Sequence, residues 1–365
     1  MDLIRTGLQN LDDARANLDR LKADGVSDER LVGMLKALSK ACDPDCALSN
    51  FVDITNAMQS QGRDFDAMVP DEAALERLIT VLGVSDEMGK LMRFRPELVE
   101  AAANDACESH LYNHEQRRAH VLKSVGADPN DHTMPTASLP LAEAATALRK
   151  TYRKQLAAIM AQDATANDPI EIQPRISTEL SDLADAALEG ALAIARHEVD
   201  GSEHVRFAII GMGKLGAQEL NYVSDVDLIY VDTNGRALSR IGTKIATTLQ
   251  RVCQSVIMGV AEPTLWQIDG GLRPEGKDGP LVRRLESHEA YYEQWAENWE
   301  FQALLKARPV AGDTDLGQAY MDVTRPFVWT ASKRDNFVYD CQQMRKRVED
   351  LIPNPLKDRE IKRGR

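Results

Sequence analysis

Residues 207–232, FAIIGMGKLGAQELNYVSDVDLIYVD, constrain the fold more than any other part of the chain. Two apolar runs, one at 205–210 that overlaps the start of this segment and one at 226–231 within it, are short and end at glycine or polar residues, which is typical of buried strands. Another such run follows at 265–268. Helical periodicity dominates most of the remaining chain. The sequence therefore predicts a few strands joined by a glycine-rich turn and surrounded by helices.

The glycine-rich turn allows two interpretations. Gly211, Gly213 and Gly216 fit the G-x-G-x-x-G pattern of a dinucleotide-binding turn, and Asp232 lies where a ribose ligand is expected. However, only the nine residues 217–225 separate Gly216 from the next predicted strand. A parallel crossover usually needs roughly a dozen residues or more. The dinucleotide interpretation is therefore the weaker one.

The second interpretation rests on acidic residues behind the turn. Asp225 and Asp227 are separated by one residue at a strand start, so both carboxylates project from the same face. Adjacent carboxylates repel each other unless they are protonated, dispersed or bridged by a cation, and Mg²⁺ prefers such oxygen ligands. Asp269 closes the next predicted strand and offers a third carboxylate. An isolated Asp-x-Asp pair is more often a cap or a solvated pair, but this combination favours a metal site.

Further ligands for a nucleotide flank these acids. Three carboxylates can hold two Mg²⁺ ions, one activating the incoming oxygen and the other neutralising the leaving group. Glycine in the turn lets the backbone approach phosphates closely. The predicted nucleotide- and phosphate-binding residues are Gly211, Gly213, Lys214, Ser224, Arg273 and Lys277.

The length of 365 residues allows two or three domains. We predict a helical N-terminal domain at 1–126 and a proline-containing linker at 127–140. The domain with the acids follows at 141–286 with its leading helices, and a helical region at 287–365 ends the chain. Residues 166–175 are expected to break the helical pattern, and the basic stripe at 149–154 predicts a solvated helix face.

Charge and composition exclude several classes of protein. The net charge of −13 argues against a general nucleic-acid binder, since phosphate neutralisation needs a basic surface. No apolar run approaches the roughly 20 residues of a transmembrane helix, and the N-terminus lacks the apolar core of a signal peptide. Five scattered cysteines predict neither disulfides nor zinc. We expect a cytoplasmic protein that acts without a membrane.

Several longer motifs carry a family resemblance. They are GMGKLG (211–216), ELN (219–221), SDVDL (224–228), LRP (272–274), GPLV (279–282), YY (291–292), WEFQA (299–303) and KAR (306–308). In these motifs the chain resembles glutamine synthetase adenylyltransferase, the bifunctional adenylylating and deadenylylating enzyme. The resemblance covers most of the chain and is weakest before residue 120.

The resemblance implies an α+β fold, with a polymerase-β-like nucleotidyltransferase domain flanked by helical domains. It implies a first, deadenylylating copy that removes AMP from adenylylated glutamine synthetase by Mg²⁺-dependent phosphorolysis, which releases ADP. The alternatives are adenylylation of glutamine synthetase with ATP and an inactive regulatory fragment that binds a PII-type signal protein. A role in regulating nitrogen metabolism, with glutamine as an effector, follows from the same resemblance.

Matched by position, Asp225 and Asp227 correspond to the family's metal-binding acids and Asp269 to the third acid. Arg273 corresponds to a phosphate contact of the family. One departure is Gly270-Gly271, where many members carry an arginine after the third acid; its role would pass to Arg273, Lys277 or Arg283. The charged end IKRGR (361–365) continues in the family into segments that are absent here, so we expect a truncated chain.

Overall fold

The computed structural model describes residues 3–104, 113–233 and 235–350. The chain divides into two compact units, one of Met1–Tyr112 with Tyr152–Ile176 and one of Asn113–Thr151 with Ser177–Arg365. Residues 127–140 form neither helix nor strand. They lie within the second unit, where the Ala137 backbone N–H donates to the carbonyl oxygen of Ala193. The domain boundaries proposed from the sequence stay a prediction, and the terminal IKRGR segment lies outside the described residues.

The first unit is helical. Polar side chains cap several of its helices: Ser27, Asp43 and Asp71 each accept a hydrogen bond from a backbone N–H in the first turn. Its fully buried core includes Leu38 and Phe51. Its helices up to residue 104 are α1 Leu11–Ala23, α2 Asp28–Leu38, α3 Pro44–Ser60, α4 Phe65–Met68, α5 Glu72–Val84, α6 Asp86–Met92 and α7 Pro96–Ala103.

Nine helices follow in the described part of the chain after residue 112. They are α8 His114–Ser124, α9 Leu141–Ala164, α10 Pro169–Glu198, α11 Gly213–Gly216, α12 Arg236–Gln254, α13 Leu285–Gln294, α14 Asn298–Leu304, α15 Thr314–Ala331 and α16 Phe337–Asp350. The expected break at 166–175 is wrong for most of its length. Asp168 accepts hydrogen bonds from the backbone N–H groups of Ile170 and Glu171, so it caps a helix that continues through Pro174.

The second unit contains a five-stranded mixed sheet. Its strands are β1 Phe207–Gly211, β2 Val226–Asp232, β3 Ile268–Asp269, β4 Val282–Arg284 and β5 Arg308–Gly312. The strand order is β3-β2-β1-β5. The first residues of β2 pair in parallel with β3, and its last residues pair in parallel with β4. The three predicted strands are present within a few residues, whereas β4 and β5 were not predicted. Pro309 is tolerated because β5 is an edge strand. The small mixed sheet among helices confirms the predicted α+β class.

The pairing of β1 with β2 decides between the two interpretations of the glycine-rich turn. These strands are antiparallel, with Ile209 opposite Tyr230. A dinucleotide-binding unit needs parallel strands joined by a crossover helix. Asp232 is fully buried and accepts a hydrogen bond from Ser239 of α12. The dinucleotide interpretation is therefore excluded.

Helices cover the inner strands of this sheet. Ile210 of β1 and Ile229 of β2 share one buried cluster with Phe301 of α14 and Tyr320 of α15. This packing anchors β2, the strand that carries Asp227. Within the residues that the structure describes, no helix combines the length and the apolar character needed to cross a membrane.

The basic stripe at 149–154 is not a solvated face throughout. Arg149 is only 1% exposed, and Arg153 is also buried. The Arg149 guanidinium donates to the carbonyl oxygens of Val252, Ser255 and Glu262. The prediction failed because carbonyl acceptors on a distant segment leave no local pattern in the sequence.

Candidate functional site

Three acidic side chains meet where β2 pairs with β3. The parallel register places Asp227 opposite Asp269, and Asp225 immediately precedes β2. Asp225, Asp227 and Asp269 each offer a carboxylate oxygen, and these atoms lie within 4.8 Å of one another. Asp225 and Asp227 are half-buried and Asp269 is exposed. The structure thus brings together the three acids that were predicted from the sequence.

The geometry of these acids suits Mg²⁺. Oxygens on one Mg²⁺ lie up to about 4.2 Å apart, because each Mg–O distance is about 2.1 Å. The observed limit of 4.8 Å requires only small side-chain rotations to share an ion. All three ligands are hard oxygens, and their mutual repulsion favours a bound cation. The residues present therefore fit the metal that their chemistry implies.

The glycine-rich turn packs directly against Asp227. The Met212 backbone N–H donates to the Asp227 carbonyl oxygen at 2.9 Å, and Gly213 begins α11 with a φ of 55°. A Cβ atom at Gly213 would overlap Oδ2 of Asp227. Glycine at position 213 thus serves both a left-handed backbone and the close approach of the turn to a site carboxylate.

The loop after β3 fixes the third acid. Oδ1 of Asp269 accepts a hydrogen bond of 2.7 Å from the Gly271 backbone N–H. At the other end of β3, the Ile268 N–H donates to Oε1 of Gln254 at the end of α12. A Cβ at position 271 would approach Oδ1 of Asp269 to 2.9 Å. Gly271 is one of the two glycines that stand where many family members carry an arginine. Its lack of a side chain leaves room for the hydrogen-bonded carboxylate of Asp269.

Arg273 is engaged in its own loop. Its guanidinium donates to the carbonyl oxygens of Gly270, Lys277 and Gly279. These contacts support a role in shaping the loop behind Asp269, and the phosphate contact stays a prediction. Arg283 likewise pairs with Glu275 at 2.5 Å and lies over the ring of Tyr291.

The other predicted ligands lie on the segments that flank the acids. Lys214 is half-buried within α11, and the Ser224 hydroxyl donates to the carbonyl oxygen of Asp225. Lys277 is exposed in the loop after β3. Gly211 ends β1, where a Cβ would crowd Val310 of β5. The structure supports a packing role for Gly211, and its part in nucleotide binding stays a prediction.

Sequence reasoning missed a charged cluster behind the turn. Both oxygens of Asp185, on α10, pair with the guanidinium of Arg308 at 2.5 and 3.1 Å. Nε2 of His114 lies 3.6 Å from Asp185, and this carboxylate raises the pKa of His114. Asp182 completes a group whose ligand atoms lie within 4.8 Å of one another. In the sequence, His110 and His114 stand four residues apart, a spacing that favours a solvated helix face over a metal site; His110 lies outside the described residues.

Comparison with known proteins identifies one family. A family model described as glutamate-ammonia ligase adenylyltransferase matches residues 75–322. A protein of Bifidobacterium longum (strain DJO10A) is 75% identical over all of this chain and 34% of its own length. A Cutibacterium acnes protein is 39% identical over all of this chain and 37% of its own length. A Mycolicibacterium smegmatis protein is 39% identical over 96% of this chain and 34% of its own length.

All three relatives carry the name bifunctional glutamine synthetase adenylyltransferase/adenylyl-removing enzyme. The chain spans about a third of the length of the curated relatives that it matches. The matched region 75–322 contains Asp225, Asp227 and Asp269, together with every strand of the sheet.

Proposed function

Because the chain belongs to the glutamate-ammonia ligase adenylyltransferase family, we propose that it transfers an adenylyl group at Asp225, Asp227 and Asp269. The observation that carries this proposal is the convergence of three carboxylates at the β2–β3 pairing. The glycine-rich turn beside Asp227 supports it, since its backbone can approach phosphate oxygens closely.

Asp225, Asp227 and Asp269 would hold Mg²⁺, with two ions as our expectation. When bound, Mg²⁺ would neutralise charge on the phosphate oxygens and activate the attacking oxygen. Asp269 is exposed and one of its oxygens is held by Gly271, so its other oxygen can orient the attacking group. Lys214, on the turn beside Asp227, can contact a phosphate of the nucleotide as a point charge.

Of the two activities in the relatives' names, we propose adenylyl removal, as the sequence resemblance implies. The substrate is glutamine synthetase that carries AMP on a tyrosine. An oxygen of orthophosphate bonds to the phosphorus of AMP, and the bond from that phosphorus to the tyrosine oxygen breaks. The proton of orthophosphate ends on the tyrosine oxygen, and the products are ADP and unmodified glutamine synthetase. The acids themselves suit transfer in either direction.

The test supplies the purified chain with adenylylated glutamine synthetase, orthophosphate and Mg²⁺, and measures ADP release. We expect release that depends on phosphate and is lost in the double variant Asp225→Asn, Asp227→Asn. Asp335→Asn removes an exposed carboxylate elsewhere in the second unit and should leave the rate unchanged. Normal ADP release from the double variant would refute the site assignment.

Two other outcomes distinguish the alternatives. ATP consumption with unmodified glutamine synthetase, without phosphate-dependent ADP release, would favour adenylylation. Metal binding without turnover in either direction would favour a regulatory module that binds a PII-type protein. The PII-type partner and the effector glutamine also remain proposals that rest on the family resemblance, and the cytoplasmic location remains an expectation from the sequence.

A further inference from the structure

The exit of the glycine-rich turn is attached to helix α10 at several points. The Gln218 side-chain amide donates to Oδ1 of Asp182 at 3.2 Å, and the Leu220 N–H donates to the Ser181 hydroxyl at 3.4 Å. Gln218 has a φ of 56°, an uncommon conformation for a residue other than glycine. A backbone held in this region requires support from its surroundings, which α10 provides here.

Arg308 makes the strongest of these attachments. Its guanidinium donates to the carbonyl oxygens of Leu215 and Gly216 at the end of α11. The same group forms a two-pronged pair with Asp185, at 2.5 and 3.1 Å. One planar side chain thus connects the end of the turn with a carboxylate on α10. Lysine cannot reproduce this pattern, because its ammonium group lacks the fork of donors.

The Asp185 carboxylate contacts both Arg308 and His114. Its side chain is 1% exposed, whereas that of Arg308 is 25% exposed. A buried carboxylate is costly unless it is paired and hydrogen-bonded. The Arg308 guanidinium already pairs with Asp185, and His114 lies beside the same carboxylate, so this acidic group has a positive charge close to it without a metal ion. We therefore interpret the cluster as an ion-pair network rather than as a second metal site.

The opposite end of the turn contacts the predicted metal site. Met212 donates to the Asp227 backbone, and Gly213 lies against the Asp227 carboxylate. The helix between these contacts and Arg308 is the four-residue α11. A shift at Leu215 and Gly216 would therefore reach Gly213 within a single helical turn.

We propose that the Arg308–Asp185 pair is a positioning device that holds the glycine-rich turn against Asp227, and thereby sets the orientation of a metal-binding carboxylate. This inference rests on the proposed function, because it assigns Asp227 to a metal site. Arg308 and Asp185 are positioning residues, since they act through the turn. Groups that orient metal ligands in this way typically contribute about 10- to 100-fold to metal affinity or activity.

The experiment measures Mn²⁺ affinity by titration calorimetry on the full chain, for Arg308→Lys, Arg308→Gln, Asp185→Asn and the double variant Arg308→Gln, Asp185→Asn. The matched control is Arg206→Gln. Arg206 forms a comparable two-pronged pair with Asp313, at 2.6 and 2.9 Å, at the far end of β1 from the turn. Circular dichroism and thermal melting establish that each variant is folded.

We expect Arg308→Gln and Asp185→Asn each to weaken Mn²⁺ binding at least tenfold, with little further loss in the double variant. Arg308→Lys should lose affinity as well, while retaining more thermal stability than Arg308→Gln. Arg206→Gln should stay within about twofold of the unaltered chain. Non-additive losses would show that the two residues act as one unit.

A lower melting temperature in the Arg308 and Asp185 variants with unchanged Mn²⁺ affinity would overturn the proposal, because it would reduce the pair to a structural role. Absence of Mn²⁺ binding by the unaltered chain would overturn it too. Failure of the proposed function is a separate result: the unaltered chain would bind Mn²⁺ but transfer no adenylyl group. The affinities of the variants would still decide the positioning role in that case.

Discussion

Asp227 and Asp269 lie opposite each other in the parallel pairing of β2 with β3, although 42 positions separate them in the sequence. Asp225 precedes the same strand and brings a third carboxylate into the group. Repulsion within such a group of like charges destabilises the folded chain when no cation is bound, and binding of a cation stabilises it.

Asp227→Asn is expected to have opposite effects without and with Mg²⁺. Without metal, the substitution removes repulsion among carboxylates, so the free energy of unfolding should rise by roughly 1 kcal/mol. With Mg²⁺, the unaltered chain should gain thermal stability and the variant much less. Melting curves with chelator and with Mg²⁺ provide the measurement. Equal Mg²⁺-induced shifts in the two proteins would contradict the assignment.

Gly213→Ala should disrupt the contact between the turn and Asp227. Alanine at this position is strained at a φ of 55°, and its Cβ meets Oδ2 of Asp227. Gly25→Ala is a matched control, because Gly25 has a φ of 86° and no atom lies within 4 Å of the position that its Cβ would occupy. We expect a loss of about 1–2 kcal/mol for Gly25→Ala from conformation alone. Gly213→Ala should lose more, by about 1–3 kcal/mol for the overlap.

The same pair of variants separates strain from a role in the site. Mn²⁺ titrations should show weaker binding for Gly213→Ala and unchanged binding for Gly25→Ala. Identical losses of stability together with unchanged Mn²⁺ affinity in both variants would argue against a contact of functional importance at Gly213.

Arg149→Met should destabilise the second unit. The substitution leaves the carbonyl oxygens of Val252, Ser255 and Glu262 without this donor, at a cost of roughly 3 kcal/mol or more. Lys150→Met, at an exposed neighbouring position, should change stability by less than about 0.5 kcal/mol. Urea denaturation measures both. Hydrogen exchange should also rise in residues 255–267, which lead to β3, and unchanged exchange there would refute the supporting role of Arg149.

His288 should make stability fall as the solution becomes acidic. Burial lowers the pKa of His288 from its ordinary value of 6.5 to about 3. The unfolded chain therefore binds a proton that the folded chain excludes, and stability is lost as the pH falls from 6.5 towards 3. His288→Phe should remove up to about 1.4 kcal/mol per pH unit of this dependence. Parallel stability curves for both proteins between about pH 7 and pH 5 would contradict it.

His114 should have the opposite pH dependence. The Asp185 carboxylate raises the pKa of His114 above 6.5, so its stabilising charge is fully present below that value. This contribution is lost as the pH rises through the pKa of the folded state. We expect His114→Gln to lower the melting temperature more at about pH 6 than at about pH 9. The same decrease at both pH values would show that the charge of His114 is not involved.

Local patterns in the sequence were sufficient to predict part of the site. The shared face of Asp225 and Asp227 follows from the two-residue period of a strand, and the spacing of the glycines at 211–216 predicts the turn. The proximity of Asp269 was inferred from neighbouring strands, and its opposition to Asp227 depends on a parallel pairing that no local pattern specifies. Helix starts in the first unit also follow a local pattern, since Ser27, Asp43 and Asp71 are residue types that typically cap helices.

The residues that escaped prediction depend on contacts between distant segments. Arg308 lies in a five-residue edge strand that contains a proline, and its partner Asp185 is 123 positions away on α10. The burial of Arg149 has no signal in the sequence, because its acceptors are backbone carbonyls, which carry no residue-specific pattern. The helix through Pro174 also needed its cap at Asp168 to be recognised.

The most direct test of the central claim is the position of a bound metal ion. Crystals of the chain grown with Mn²⁺ and an adenine nucleotide would be measured at a wavelength where manganese scatters anomalously. We predict an anomalous peak in contact with carboxylate oxygens of Asp225, Asp227 and Asp269. A peak at His114, Asp182 and Asp185 alone, or none near β2 and β3, would contradict it.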